Sequence, residues 1–313
     1  MSNTYLPKSV ILPKSVMAAI NFKGGTGKTT VALAMAEGIC RLMGKRVAVV
    51  DCDFQCSASI ALLGRRTLND LIDKTATMDS LLQSRLARKS GAHFASSARP
   101  AQFCVSEAAG LMHIVPGSPD MPRRERQIVA QFLPRSDIHA AYESAAIRMG
   151  ELFRTLLDEF DFVLIDCPPG LTLFSEAAIR AADGIVVPTL PNEISFAAID
   201  HLRNEIERAR PGRSFDELLV GTVVSKVRQK NGAANHRAHV ESMERLLDRV
   251  APQFQLLKPY LPYSRELEAA TWRDDAGRLS FAMRYGQSSA TIERLVQEFV
   301  GRCGALMARR LAA

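Results

Sequence analysis

One stretch, Lys23-Gly24-Gly25-Thr26-Gly27-Lys28-Thr29-Thr30, constrains the fold of this chain more than any other. An apolar run at 17–21 precedes it, and small and apolar residues at 31–43 follow it, the pattern of a strand, a glycine-rich turn and a helix. Glycines let the backbone bend around an anion and point its N–H groups inward, and the helix N-terminus adds positive potential. Gly27-Lys28-Thr29 in that register is the signature of a loop that cradles nucleotide phosphates: Lys28 reaches the β- and γ-phosphates and the Thr29 hydroxyl ligates Mg²⁺. Gly24, Gly25, Thr26, Gly27, Lys28, Thr29 and Thr30 are therefore the expected nucleotide-binding residues.

The same alternation continues along the chain. Apolar runs at 46–50, 162–165, 184–187 and 218–224 lack the polar–apolar alternation of a half-exposed strand, which suits strands covered on both faces of a parallel sheet. Helical patterns lie between them at 147–159, 173–182 and 195–209; another is expected over 69–86, a loop over 90–100 and a strand over 111–115. Strands alternating with helices predict an α/β fold, a doubly wound, mostly parallel sheet flanked by helices, with its ligand beyond the carboxyl ends of the strands. Residues 1–16 carry Leu-Pro-Lys-Ser-Val twice, at 6–10 and 12–16. Their prolines forbid regular helix, so 1–16 is expected to be a flexible tail and 17–313 a single domain.

Two further motifs bring carboxylates to the loop. Asp51-Cys52-Asp53-Phe54-Gln55 directly follows a strand. Its two carboxylates are hard oxygen ligands for Mg²⁺ or its waters, and one can orient an attacking water, although Asp-x-Asp at a strand end is also ordinary turn chemistry. In Phe162-Val163-Leu164-Ile165-Asp166-Cys167-Pro168-Pro169-Gly170, an apolar strand delivers Asp166 beside the loop, where a carboxylate holds Mg²⁺ through its shell. Pro168 and Pro169 stiffen the segment that follows. Thr29, Asp51 and Asp166 are the expected metal-binding residues.

The general phosphate loop has Gly five positions before Gly27; this chain has Phe22 there and Lys23 at the head of the loop. With that departure the chain resembles the ParA/MinD family of deviant Walker A ATPases, and in pattern its ParA-type partition members most. Asp51–Gln55 resembles the family's Asp-x-Asp-Pro-Gln switch with Phe54 in place of Pro, and Asp166–Pro169 its Asp-x-Pro-Pro element. The stretch 181–188 is similar to the strand before the family's nucleotide-responsive loop, and 221–227 to its base-side strand, with Ser225 where relatives often carry Asn or Thr. Leu261-Pro262-Tyr263-Ser264 and residues 285–290 are similar to the ParA-type C-terminal region. The resemblance implies ATP and Mg²⁺ as cofactors, with Ser225 and Pro262 on the nucleotide. It implies that Lys23, Lys28 and Asp53 serve a slow, partner-stimulated hydrolysis, Lys23 by reaching across an ATP-dependent homodimer. It also implies a ParB-like or cargo adaptor and the partition or positioning of a plasmid, chromosome or protein cargo.

Charge adds a second kind of partner. The net charge is +7, and a basic balance favours polyanions. Arg203, Arg210, Arg213, Lys226, Arg228 and Lys230 are the candidate DNA-binding residues. No base-reading motif accompanies them, so binding without sequence preference is expected, and a cytoplasmic, nucleoid-associated location with it. The competing reading is a solvated, salt-bridged face, because Glu205, Glu207, Asp216 and Glu217 are interspersed. A MinD-like membrane-associated regulator of division is the alternative function, carried by the amphipathic 291–311. There Gly301 and Gly304 weaken a helix and Phe299, Leu306 and Met307 are the main apolar residues, so a last helix packed on the sheet is favoured over membrane contact. The six cysteines form no Cys-x-x-Cys pair, and Cys167 has no evident partner for ligating an iron–sulfur cluster, which disfavours a redox enzyme on the same fold.

Overall fold

The structure, a computed structural model, describes residues 12–88, 98–100, 111–133, 137–228, 238, 240–245, 255–270 and 279–312. Its strands are β1 (Ser15–Ala19), β2 (Val47–Asp51), β3 (Arg99–Pro100), β4 (Met112–Val115), β5 (Phe162–Asp166), β6 (Gly184–Thr189), β7 (Leu219–Val224) and β8 (Leu256–Leu257). The helices are α1 (Lys28–Met43), α2 (Ser57–Leu63), α3 (Arg65–Asp73), α4 (Met78–Arg88), α5 (Met121–Ala130), α6 (Ile138–Arg154), α7 (Leu173–Ala181), α8 (Glu193–Ala209), α9 (Phe215–Leu218), α10 (Arg265–Ala269), α11 (Phe281–Tyr285) and α12 (Ser289–Ala312).

The strands form one sheet in the order β3-β4-β2-β5-β1-β6-β7-β8, parallel throughout except for β3 at the edge. The expected doubly wound α/β architecture is the observed one. Alternate side chains of β1 enter opposite layers, Val16 and Ala18 into one core and Met17 and Ala19 into the other, which is why the strand carries no polar position between them. In register, Asp166 lies beside Ala19 on one side and Asp51 on the other. The three motif-bearing loops therefore leave from the carboxyl ends of three adjacent strands, β2, β5 and β1.

Two expectations change. β1 begins at Ser15, and Leu12 is buried, so the second Leu-Pro-Lys-Ser-Val leads into the sheet, with Ser15 and Val16 in the strand, and is not part of a tail. Proline excludes helix but is tolerated immediately before a strand, and here Pro13 stands two residues ahead of it. Residues 1–11, with the first copy, lie outside the described residues. The helix expected over 69–86 is two helices, α3 and α4. The turn between them is closed by Thr75 N–H on Ile72 O at 2.9 Å and Ala76 N–H on Leu71 O at 2.8 Å, with Thr75 at φ +51°. The last helix packed on the sheet is found as expected: α12 runs unbroken through Gly301 and Gly304, where packing outweighs propensity. Its Phe299, Leu306 and Met307 are buried in the core shared with α1. Among the described residues, no helix is long and apolar enough to cross a membrane.

The contact between α1 and α12 is close. A Cβ on Gly38 would lie 2.6 Å from a methyl of Val296, and beside it the buried Glu37 faces Arg284 of α11 at 3.5 Å. Gly38→Ala gains about 1 kcal/mol of helix propensity but overpacks the seam at about 1–3 kcal/mol. The expected outcome is a lower urea midpoint at unchanged m-value, restored in the double variant with Val296→Ala. A Gly38→Ala protein as stable as the parent refutes the close approach.

Candidate active site

The phosphate loop owes its shape to two left-handed glycines, Gly25 at φ +73° and Gly27 at φ +87°, the second forming the N-cap of α1. Neither Gly24 nor Gly25 has a neighbour within 4 Å of a would-be Cβ, so at Gly25 backbone conformation, not space, excludes a side chain. Gly27 is crowded as well: its Cβ would meet Ser225 Oγ at 3.2 Å. The loop is braced from both sides. Asn21 Nδ2 donates to Pro188 O at 2.8 Å, and Asn21 Oδ1 accepts from Lys23 N–H at 2.9 Å. Ser225 Oγ donates to Thr26 O at 2.7 Å and contacts Thr189 O at 3.2 Å. The Ser225 hydroxyl thus holds the loop, and the sequence expectation that it sits on the nucleotide is met only in the sense that it lines the same cleft.

That cleft, about 220 Å³, runs from the loop past Asp53, Gln55 and Pro169 to Lys226, Pro262, Tyr263 and Glu268. The expected loop residues Gly24 to Thr30 and Pro262 all line it, so one cavity joins the glycine-rich loop to the segment at 261–264. Lys28 is almost fully buried and its Nζ donates to Lys23 O at 3.1 Å. Burial lowers its pKa, while the charges of Asp166 and Asp53 pull it back up.

The three carboxylates lie together but differ in what they have left to offer. Asp51 accepts three hydrogen bonds: Asp53 N–H on Oδ1 at 3.1 Å, and Ser59 N–H and Oγ–H on Oδ2 at 2.8 and 2.7 Å. Burial raises its pKa to about 6 against the pull of those bonds. With this set of partners Asp51 organises the backbone of the turn, and Oδ1, with one hydrogen bond, keeps acceptor capacity for the metal-binding role expected from the sequence. Asp166 is the opposite case. It is fully buried, and neither carboxylate oxygen has a hydrogen-bond partner of ordinary geometry among the described residues. Burial pushes its pKa well up and the charge of Asp51 adds to this, while the Thr29 hydroxyl and Lys28 oppose it. A buried carboxylate of this kind beside a hydroxyl suits a hard divalent cation, so Thr29 and Asp166 fit Mg²⁺. Asp53 lines the cleft, with Oδ1 accepting from Gln55 N–H at 2.9 Å and its pKa raised by burial. Phe54, next to it, is 44% exposed.

Lys23 points elsewhere. Its Nζ donates to Ser195 Oγ at 2.9 Å, at the N-terminus of α8, and Ser195 Oγ in turn donates to Asn192 Oδ1 at 2.8 Å. Neither Asn192 nor Ser195 was singled out from the sequence as a site residue. The signal was present, an Asn-x-x-Ser helix-capping spacing at 192–195, but it reads as capping alone.

A family model described as an AAA domain, AAA_31, matches residues 14–214. The chain belongs to the ParA/MinD-type AAA_31 ATPases. Among curated relatives it is 24% identical over 211 residues to the chromosome partitioning protein ParA of Myxococcus xanthus (strain DK1622), covering 67% of this chain and 64% of that protein. It is 29% identical over 210 residues to the chromosome-partitioning ATPase Soj of Thermus thermophilus, covering 67% and 68%. The chain thus spans slightly less than two thirds of the Myxococcus protein. Among solved structures, apo McdA of Cyanothece superposes with a TM-score of 0.65 at 17% identity over 92% of this chain and 99% of that one. The ATP complex of a single-substitution variant of Cyanothece McdA gives 0.64 at 16% identity over 92% and 96%.

The basic residues expected to bind DNA have different surroundings in this ParA/MinD-type chain. Arg203 is paired with Asp216 through two contacts of 3.1 and 3.2 Å and stacks over Phe215. Arg210 is half-buried, donating to Ile179 O and Ala182 O at the end of α7, and burial lowers its pKa. Lys226 is in the nucleotide cleft. Arg213 and Arg228 are exposed, and Lys230 lies outside the described residues. An acidic neighbour and helix-end carbonyls thus engage Arg203 and Arg210, while Arg213 and Arg228 face solvent.

Proposed function

We propose that the chain is a ParA-like ATPase that closes into a homodimer on ATP, binds DNA without sequence preference and positions a plasmid, chromosome or protein cargo. The observation that carries this reading is the division of labour between two lysines of one loop. Lys28 is held inside the cradle, while the Nζ of Lys23 sits outside it on Ser195. A lysine that heads the loop yet turns away from its own phosphate cradle is placed to serve a second nucleotide. The names of two relatives support the partition reading, since the Myxococcus and Thermus proteins are both called chromosome-partitioning.

In this reading the backbone N–H groups from Gly24 to Thr29 and the Lys28 ammonium hold the phosphates and neutralise charge as the γ-phosphoryl is transferred. Thr29 and Asp166 hold Mg²⁺, which when bound supplies charge neutralisation on the phosphate oxygens. Asp53 orients the attacking water, and Asp51 keeps Asp53 in position through the bond to its amide. Turnover is slow until an adaptor of the ParB type stimulates it, and hydrolysis releases the dimer.

DNA binding follows from the net charge of +7 and is tested by its dependence on ATP and salt. Log affinity should fall with log salt at roughly −0.9 per phosphate neutralised. Arg213→Ala with Arg228→Ala, both exposed, should flatten that slope with ATP binding intact, and a scrambled duplex should compete as well as any chosen sequence. An ATP-loaded protein that ignores DNA at low salt and floats with anionic liposomes replaces this reading with the membrane one.

A further inference from the structure

The end of the sheet remote from the cleft carries a cluster of arginines around one carboxylate. Asp183 directly precedes β6, so the six residues of that strand, about 20 Å, separate it from the strand ends where the phosphate loop lies. Three parts of the chain bring arginines to it: Arg154 ends α6, Arg210 and Arg213 follow α8, and Arg310 is in the last turn of α12. Arg154 Nη1 donates to Asp183 Oδ1 at 3.0 Å and to Ala181 O at 2.7 Å. Arg210 Nη1 donates to Ala182 O and to Ile179 O at 3.3 Å, and Arg310 Nη1 lies 4.0 Å from Asp183 Oδ1. Arg213 is exposed beside them, close enough for its charge to act on both Arg210 and Arg310.

Cations at the end of α7 cap its last carbonyls and suit its dipole, but this cluster exceeds that need. Donors are left over. Among the described residues Arg154 and Arg210 make their contacts through Nη1 alone, and the Nε of Arg310 is buried with no partner. Charge is left over as well. The carboxylates that act on Arg210 and Arg310 are those of Asp183 and Glu217, two against four guanidiniums. Both already accept backbone bonds, Asp183 Oδ2 from Val16 N–H at 2.9 Å and Glu217 Oε2 from Ser214 N–H at 2.9 Å. Burial lowers the pKa of Arg210 and of Arg310, and the neighbouring guanidiniums lower both further, a repulsion that a bound anion would relieve.

The arrangement also selects among anions. Guanidinium forks pair with carboxylate and with phosphate. A carboxylate is planar with a single charge, whereas a phosphate group carries close to two charges at neutral pH and offers oxygens in several directions. The second matches an excess of two positive charges and donors that arrive from three elements. A duplex is met by exposed cations spread along its backbone. Here the guanidiniums converge on one carboxylate, and Arg210 and Arg310 are only partly exposed. We propose that Arg154, Arg210, Arg213 and Arg310 form a binding site for a compact phosphate dianion, either inorganic phosphate or a phosphate monoester, at the end of the sheet opposite to the nucleotide cleft.

The test is the thermal shift of the full chain in inorganic phosphate against chloride at matched ionic strength. It is run in a Lys28→Ala background, so that any phosphate still held by the loop is common to every protein compared. Phosphate at about tenfold above its dissociation constant should raise the melting temperature by about 3 °C. Arg154→Ala and Arg310→Ala, added singly, should each weaken phosphate about fivefold, and together they should remove the shift. Arg154 is the more exposed of the two, so its variant remains readable if Arg310→Ala does not fold. Phosphoserine as a second probe separates the sources: a shift equal to that of phosphate assigns the site to monoesters, and none assigns it to the free ion. Equal melting temperatures in phosphate and chloride, or a phosphate shift that survives both substitutions, overturns the site. So does a short duplex that binds through Arg154 and Arg310 where phosphate does not, which would make the cluster a nucleic-acid contact.

Discussion

Asp53→Ala binds ATP and turns it over at least about 10²-fold more slowly than the parent, and the protein accumulates as an ATP dimer. The size follows from what phosphoryl transfer asks of a protein, which is mainly positioning and charge neutralisation. Asp53 lines the cleft beside the loop and is held by two local contacts, its own N–H on Asp51 and its Oδ1 on Gln55 N–H. Removing the side chain therefore deletes both the oxygen proposed to orient water and the contact with Gln55 N–H. Asp53→Asn separates the two, because the amide keeps an acceptor for Gln55 and loses the charge. If positioning through the carboxylate is the role, Asn and Ala are similarly slow in single turnover while nucleotide affinity is held. Wild-type turnover in either purified variant removes Asp53 from the reaction.

Lys23→Gln has the second large effect, on assembly. The variant keeps nucleotide binding in the monomer, because the buried Lys28 and the loop backbone form the cradle without it. It loses ATP-dependent dimerisation, since the charge that would meet the partner's phosphates is gone. Lys28→Ala shows the reverse order of losses, nucleotide first and dimer as a result. Sedimentation at matched ATP occupancy distinguishes them, and an ATP dimer of normal strength in the Lys23 variant ends the role in trans.

Much of this was written in the sequence in a form that local chemistry can decode. The phosphate loop needs three glycines, a lysine and a threonine in fixed order, and no other part of the chain supplies them. The buried strands announced themselves by unbroken apolar runs, as Val47–Asp51 and Phe162–Asp166 show. What stayed hidden depends on partners distant in sequence. Ser195 meets Lys23 across 172 positions, and Ser225 meets Thr26 across 199. Neither distance can be read from spacing. Charged residues misled for the same reason: Lys226 looks like one cation in a basic run, yet its partner is Glu268, 42 positions on. The break between α3 and α4 escaped because a single left-handed threonine, not a glycine or proline, makes the turn.

The three bonds accepted by Asp51 divide the rim of the cleft mechanically. Ser59, which donates two of them, also accepts the Gly117 N–H at 3.1 Å, so the end of β2, the start of α2 and the turn after β4 move as one block. Across from it, the segment after Asp166 is joined to the head of the loop by the Gly170 N–H on Phe22 O at 3.0 Å, and Lys23 is joined to α8 by one side-chain contact. The block around Ser59 is cross-linked within itself, and the other wall is tied to the head of the loop through Gly170 and Lys23. Hydrogen exchange makes the asymmetry measurable: the amides of Asp53, Ser59 and Gly117 should exchange slowly and together, and those of Lys23 and Gly170 faster. Equal protection on the two sides would mean that the cleft has no preferred place to open.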